Sequence, residues 1–136
     1  MKLATTAGWL CLLLASCKTG EPSKNLVLET SQTPSKTMVL LAKTAQTCWF
    51  KSRDPAFRSH KLASEVNSYA GQPRFLLVPK NNPTGLPLLV VQAQSDQSSD
   101  KATKVQVFGP LLQSENGKRI ANDVMRWSKG NTKCSA

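Results

Sequence analysis

The sequence predicts an α+β fold: a small two-layer domain with an antiparallel sheet of three or four strands, packed by an N-terminal and a C-terminal helix. Two observations carry this expectation. Residues 34–50 and 116–131 repeat their apolar side chains at helical spacing, and between them apolar runs of strand length alternate with turn clusters. Successive strands joined by short turns favour an antiparallel meander with its helices on one face.

The first helix is read from "PSKTMVLLAKTAQTCWF", residues 34–50. Thr33 suits the cap, and Pro34 suits the first helical position, where a missing N–H leaves nothing unpaired. Met38, Leu41, Ala42, Ala45 and Trp49 form one apolar stripe that should pack on the sheet. Trp49 and Phe50 close this segment, either as core residues or as a ligand platform. A basic loop, "KSRDPAFRSH", covers 51–60, and a weak strand candidate runs from Ala63 to Tyr69. "RFLLVP" (74–79) reads as a strand, and "KNNPTG" as the turn after it. "LPLLVVQAQ" (86–94) is apolar enough for a central strand, and "KVQVFGP" (104–110) alternates as the last strand should. The polar "SDQSSDKAT" lies between them as a loop. In "NGKRIANDVMRWSKGN", Ile120, Val124 and Trp127 share a helix face, and Gly130 can end the helix. Opposite that face, Arg119, Arg126, Lys129 and Lys133 fall within about 80° of arc.

The chain begins "MKLATTAGWLCLLLASC". After Lys2 comes an apolar region of about 13 residues, too short for a bilayer core that needs ~20 and of the length of a signal-peptide core. Leu14-Ala15-Ser16-Cys17 resembles the lipobox of bacterial lipoproteins. The resemblance implies cleavage between Ser16 and Cys17, a diacylglycerol on the Cys17 thiol, and fatty acylation of the new amino terminus. Such an anchor holds firmly, because each buried methylene contributes ~0.8 kcal/mol and two or three chains act together. Lys18, next after the cysteine, resembles the outer-membrane form of the sorting signal. The expected organisation is a signal peptide over 1–16, a lipidated N-terminus and flexible tether over 17–33, and one α+β domain over 34–136. Leu26-Val27-Leu28 interrupts the tether and leaves an extra strand or a docking motif as alternatives.

The chain has four cysteines. With Cys11 lost in the signal peptide and Cys17 lipidated, as the lipobox resemblance implies, Cys48 and Cys134 remain. A pair in an exported domain reads as a disulfide, with two free thiols as the alternative.

The formal net charge is +10, and removal of Lys2 leaves 17 basic against 8 acidic residues, or +9. This balance favours anionic partners. Export makes nucleic acid an unsuitable one and leaves the membrane, anionic envelope polymers and acidic faces of envelope proteins. The Arg119, Arg126, Lys129, Lys133 stripe is the candidate contact, with an ordinary solvated helix face as its alternative. "KVQVFGPLLQSENGKRIANDVMRW" also resembles the strand-to-helix half of a SPOR domain, which implies peptidoglycan binding; no second copy of that half follows. No metal-ligand spacing, nucleotide-binding loop or nucleophile-elbow pattern is present, so no catalytic residue, metal or cofactor is assigned. The sequence therefore points to a non-enzymatic binding or structural module of the envelope. A small periplasm-facing enzyme or enzyme inhibitor is the alternative, and it would need a cleft around Trp49, His60 and Tyr69.

Overall fold

The computed structural model describes residues 25–67, 72–98 and 102–135. The expected signal peptide, the lipobox with Cys17, and Tyr69 lie outside them. The elements in order are β1 (Asn25–Thr30), α1 (Pro34–Ala45), β2 (His60–Glu65), β3 (Arg74–Pro79), β4 (Leu89–Ser95), β5 (Thr103–Phe108) and α2 (Gly117–Ser128). A π-helical turn, Gln46–Lys51, extends α1, and short 3₁₀ turns occupy Pro55–Phe57 and Pro110–Gln113.

The strands form one antiparallel sheet in the order β1-β5-β4-β3-β2. The meander from β2 to β5 is the one expected. The sheet has five strands, however, not three or four. The extra one is β1, built from the Leu26-Val27-Leu28 run of the expected tether. Its alternation explains the difference: Leu26 and Leu28 turn inward and pack on the core, while Val27 stays 52% exposed on the other face. A three-residue apolar run within polar sequence gives too weak a local signal to announce a strand, and pairing with β5 supplies what the run lacks. The first helix therefore lies between two strands, carrying the chain from one sheet edge to the other. β2 also begins three residues earlier than the weak candidate, since its register sets Leu62 against Leu77.

Both helices share one core with the inner face of the sheet. Thr33 caps α1 by accepting from the Lys36 N–H, and Pro34 follows it. Met38, Leu41 and Ala45 from α1 and Ile120, Val124 and Trp127 from α2 are fully buried with Phe75, Leu77, Leu89, Val91, Val105 and Val107. Gly130, at φ 89°, ends α2 as its position suggests. Gly109 is required where β5 turns into Pro110: its φ is 125°, and a Cβ would sit 2.5 Å from the Leu88 carbonyl oxygen. The opposite sheet face carries a polar row in which Gln92 donates to Gln106 (2.8 Å) and Arg74 pairs with Glu65 (2.5 Å). Among the described residues, no helix is long and apolar enough to cross a membrane.

Cys48 and Cys134 form a disulfide, with Cα atoms 5.1 Å apart. It fastens the π turn to the segment after α2.

Candidate functional site

The site begins where α1 changes its hydrogen bonding. At the π turn the Ser52 N–H donates to Thr47 O, five residues back, at 3.2 Å. A wider turn rotates each residue through a smaller angle, and π turns recur at functional sites. Three consecutive residues, Cys48, Trp49 and Phe50, therefore fan over one side of the segment. Cys48 and Trp49 enter the core, and Phe50 is half-buried at its margin. Trp49 stacks on Phe57 (centroids 4.6 Å, planes 13° apart) and touches Trp127 at 5.0 Å. It is a core residue that also closes the back of a cleft.

The chain leaves the π turn through Arg53 at φ 59°, a left-handed conformation uncommon for a residue with a Cβ. Asp54 then caps the 3₁₀ turn by accepting from the Ala56 N–H at 3.0 Å. This sharp corner folds the basic loop back toward β2 and leaves a cleft of about 570 Å³. Trp49, Phe50, Phe57 and Leu62 supply its apolar lining, and Gln46, His60, Lys61 and Lys80 continue the wall. Arg53 and Arg58 join Lys61 and Lys80 as its cations. The size and mixture suit a ligand with an apolar part and an anionic part.

Among the described residues Asp54 is the one carboxylate in the lining, and it is engaged in an ion pair with Arg119. That hydrogen bond holds the Asp54 carboxyl below its ordinary range, with help from the Ala56 N–H and against the effect of burial. The Asp54 charge is thus directed away from a ligand. Burial lowers the His60 pKa below its ordinary 6.5 and so favours the neutral imidazole, against the hydrogen bond to the Phe57 backbone, which favours the charged one. Ser59 Oγ lies 3.2 Å from His60 Nδ1. Among the described residues no carboxylate pairs with His60, so this contact lacks the orienting third group of a hydrolytic triad. The cleft's four lining cations are of a kind that can attract an anionic group.

The Asp54–Arg119 pair predicts an acid limit. A carboxyl lowered on folding contributes stability above its unfolded pKa, and that stability is lost as pH falls through the folded value. The urea midpoint is therefore expected to fall below about pH 4. Asp54→Asn should lower the midpoint at pH 7 and flatten its acid dependence; an unchanged pH profile in urea melts would count against the pair.

The four basic residues predicted on α2 divide. Arg119 pairs with Asp54 and lies over the Phe57 ring, 5.6 Å from its centroid. Arg126 Nη2 donates to Asp123 Oδ1 (2.8 Å) and to the Lys133 carbonyl (2.9 Å). Lys129 and Lys133 are exposed. Two of the four thus serve internal contacts, and two face solvent. Arg119 is also a support of the cleft, because it holds the Asp54 corner and the Phe57 floor against α2.

Asp123 is the residue that the apolar stripe of α2 conceals. It is 1% exposed. Its carboxylate accepts from Trp49 Nε1 (2.9 Å), Arg126 (2.8 Å) and Ser135 Oγ (2.7 Å), with Arg119 Nε at 3.8 Å. It joins the π turn, α2 and the C-terminal tail at one point.

Local sequence shows the basic loop but not the cleft. Lys80 arrives from a turn distant in sequence, because the β2–β3 pairing sets its N–H on Ser59 O at 2.8 Å. Of the cleft envisaged around Trp49, His60 and Tyr69, the first two line this one. No family model matches the chain, and neither a curated protein nor a solved structure matches it.

Proposed function

We propose that this chain is a lipid-anchored protein of the bacterial cell envelope, a non-enzymatic module that docks an anionic partner in the cleft between the π turn and β2. One observation carries the binding half of this reading. Among the described residues, four cations join an apolar, aromatic lining whose single carboxylate is bound to Arg119. The resemblance of Leu14-Ala15-Ser16-Cys17 to a lipobox supports the anchor on Cys17, and Lys18 supports an outer-membrane address with the domain facing the periplasm. The Cys48–Cys134 disulfide fits an oxidising compartment. Mass spectrometry of the mature amino terminus tests the anchor: an unmodified Cys17, or cleavage elsewhere, would remove it.

The binding site is tested by charge reversal on two surfaces of the full chain. The binding substrates are phosphatidylglycerol vesicles, purified sacculi and polyglutamate. Lys61→Glu with Lys80→Glu is expected to weaken salt-sensitive binding at least about tenfold, since each such cation contributes ~1 kcal/mol near an anionic surface. Lys129→Glu with Lys133→Glu should leave it nearly unchanged. The reverse result would return the contact to α2. Arg53→Gly removes one cleft cation from a position that glycine occupies without strain, so its fold should persist while binding weakens.

A further inference from the structure

The cleft runs along an open sheet edge. β2 is the last strand in the sheet order, and among the described residues no strand pairs with its outer side. His60 and Leu62 turn their side chains toward the helix layer and Lys61 turns toward the opposite face, yet all three line the cleft. A cavity touching consecutive residues of both facings follows the strand's edge rather than either face.

The hydrogen-bonding polarity of that edge can be assigned. Lys80 N–H donates to Ser59 O, and the register pairs His60 with Pro79, which has no N–H to give. In an antiparallel ladder, directly opposed residues alternate between bonded and non-bonded pairs. Lys61, Ala63 and Glu65 therefore spend their main-chain groups on β3. His60 and Leu62 turn theirs outward along the cleft, and Ser64 turns its own outward where the edge continues beyond the cleft lining.

We propose that the partner is an acidic polypeptide segment that binds in extended form, adding a strand beside β2 and seating an apolar side chain between Phe50 and Leu62. This rests on the reading of the cleft as an anion site and names its ligand class. Main-chain pairing supplies affinity in strand addition, and pockets for alternate side chains supply selectivity. Lys61, Arg58 and Lys80 beside the edge fit acidic side chains on the incoming strand. The same cations oppose pairing with a second β2, since two copies would bring like charges together. A lipid headgroup would satisfy the cations but would leave the outward N–H and C=O groups of His60, Leu62 and Ser64 unused.

The test uses the full chain and a terminally blocked octapeptide that alternates glutamate with valine and carries one central phenylalanine. Binding is read by fluorescence anisotropy and by hydrogen exchange at individual amides. Saturable binding is expected, with slowed exchange at His60, Leu62 and Ser64. N-methylating the peptide residues of one parity should weaken binding at least tenfold, and N-methylating the other parity should not. Ser64→Pro removes an outward N–H without touching the β3 ladder, so it should weaken the octapeptide at least tenfold while the urea midpoint stays close to wild type. If both N-methylated forms bind equally and no amide is protected, the anion site stands and strand addition is overturned. Binding of phosphatidylglycerol vesicles through Lys61 and Lys80, with no binding of the octapeptide, would likewise overturn the peptide in favour of a lipid. If neither ligand binds, the anion-site reading falls together with the strand.

Discussion

Replacing Cys48 and Cys134 together by alanine is expected to lower the unfolding free energy by about 4–5 kcal/mol and the Tm by on the order of 20 °C. The disulfide spans 86 residues of sequence, so it closes the chain from the π turn through α2 into one loop, with β1 and α1 outside it. In the chain-entropy account such a loop removes many conformations from the unfolded chain, and the benefit grows with its length. For a domain whose whole stability is about 5–15 kcal/mol, this is a large share. Cys48 is also buried in the core, so alanine adds the loss of its sulfur contacts. Reduction of the wild-type chain separates the two contributions, since it opens the loop but keeps the side chains. Urea melts of oxidised, reduced and double-alanine protein measure all three. A loss below about 1 kcal/mol would mean that the tail is held without the covalent bond.

Asp123→Ala is expected to cost about 3–5 kcal/mol, the range for removing one partner from a buried ionic network. The substitution leaves the Trp49 indole N–H, the Arg126 guanidinium and the Ser135 hydroxyl without the acceptor they share. Arg119 Nε, buried and lacking a hydrogen bond of its own, loses the nearby charge at 3.8 Å. Asp123→Asn should fall between wild type and alanine, because an amide oxygen can still accept from Trp49 but carries no charge for the arginines. Tryptophan emission should shift to the red in Asp123→Ala as Trp49 loosens. The disulfide and Asp123 fasten the same tail to the same π turn, so their effects should not add. A double-mutant cycle should show coupling of at least about 0.5 kcal/mol; strict additivity would place the two in separate parts of the molecule.

The helices and the meander are legible in the sequence for a local reason. Met38, Leu41, Ala42 and Ala45 lie within a single helix, and their spacing alone decides which face is apolar. "RFLLVP" and "KVQVFGP" likewise carry their strand pattern within a few residues. The weaker elements depend on partners. β1 has two inward leucines and gains its place by pairing with β5. β2 shows one inward leucine and is defined by its register with β3. The π turn follows a helical pattern that predicts an uninterrupted helix through residue 50, whereas its Ser52 N–H reaches back five residues to Thr47 O.

Charge is still less readable than apolar pattern. On a helical projection, Arg119, Arg126, Lys129 and Lys133 are equivalent. The fold separates them by supplying Asp54 from the 3₁₀ corner and placing Asp123 in the core, so the arginines turn inward and the lysines remain in solvent. The sequence by itself determined the α+β class, the two helices and the succession of β3, β4 and β5, because periodicity is a property of the chain; with the lipobox resemblance it also singled out Cys48 and Cys134 as the expected pair, which the structure joins. Only the tertiary structure decided the fifth strand, the role of each arginine and the cationic cleft. Those depend on which distant residues come to lie side by side, and a Coulombic or hydrogen-bonding partner far along the chain leaves no mark on the local pattern.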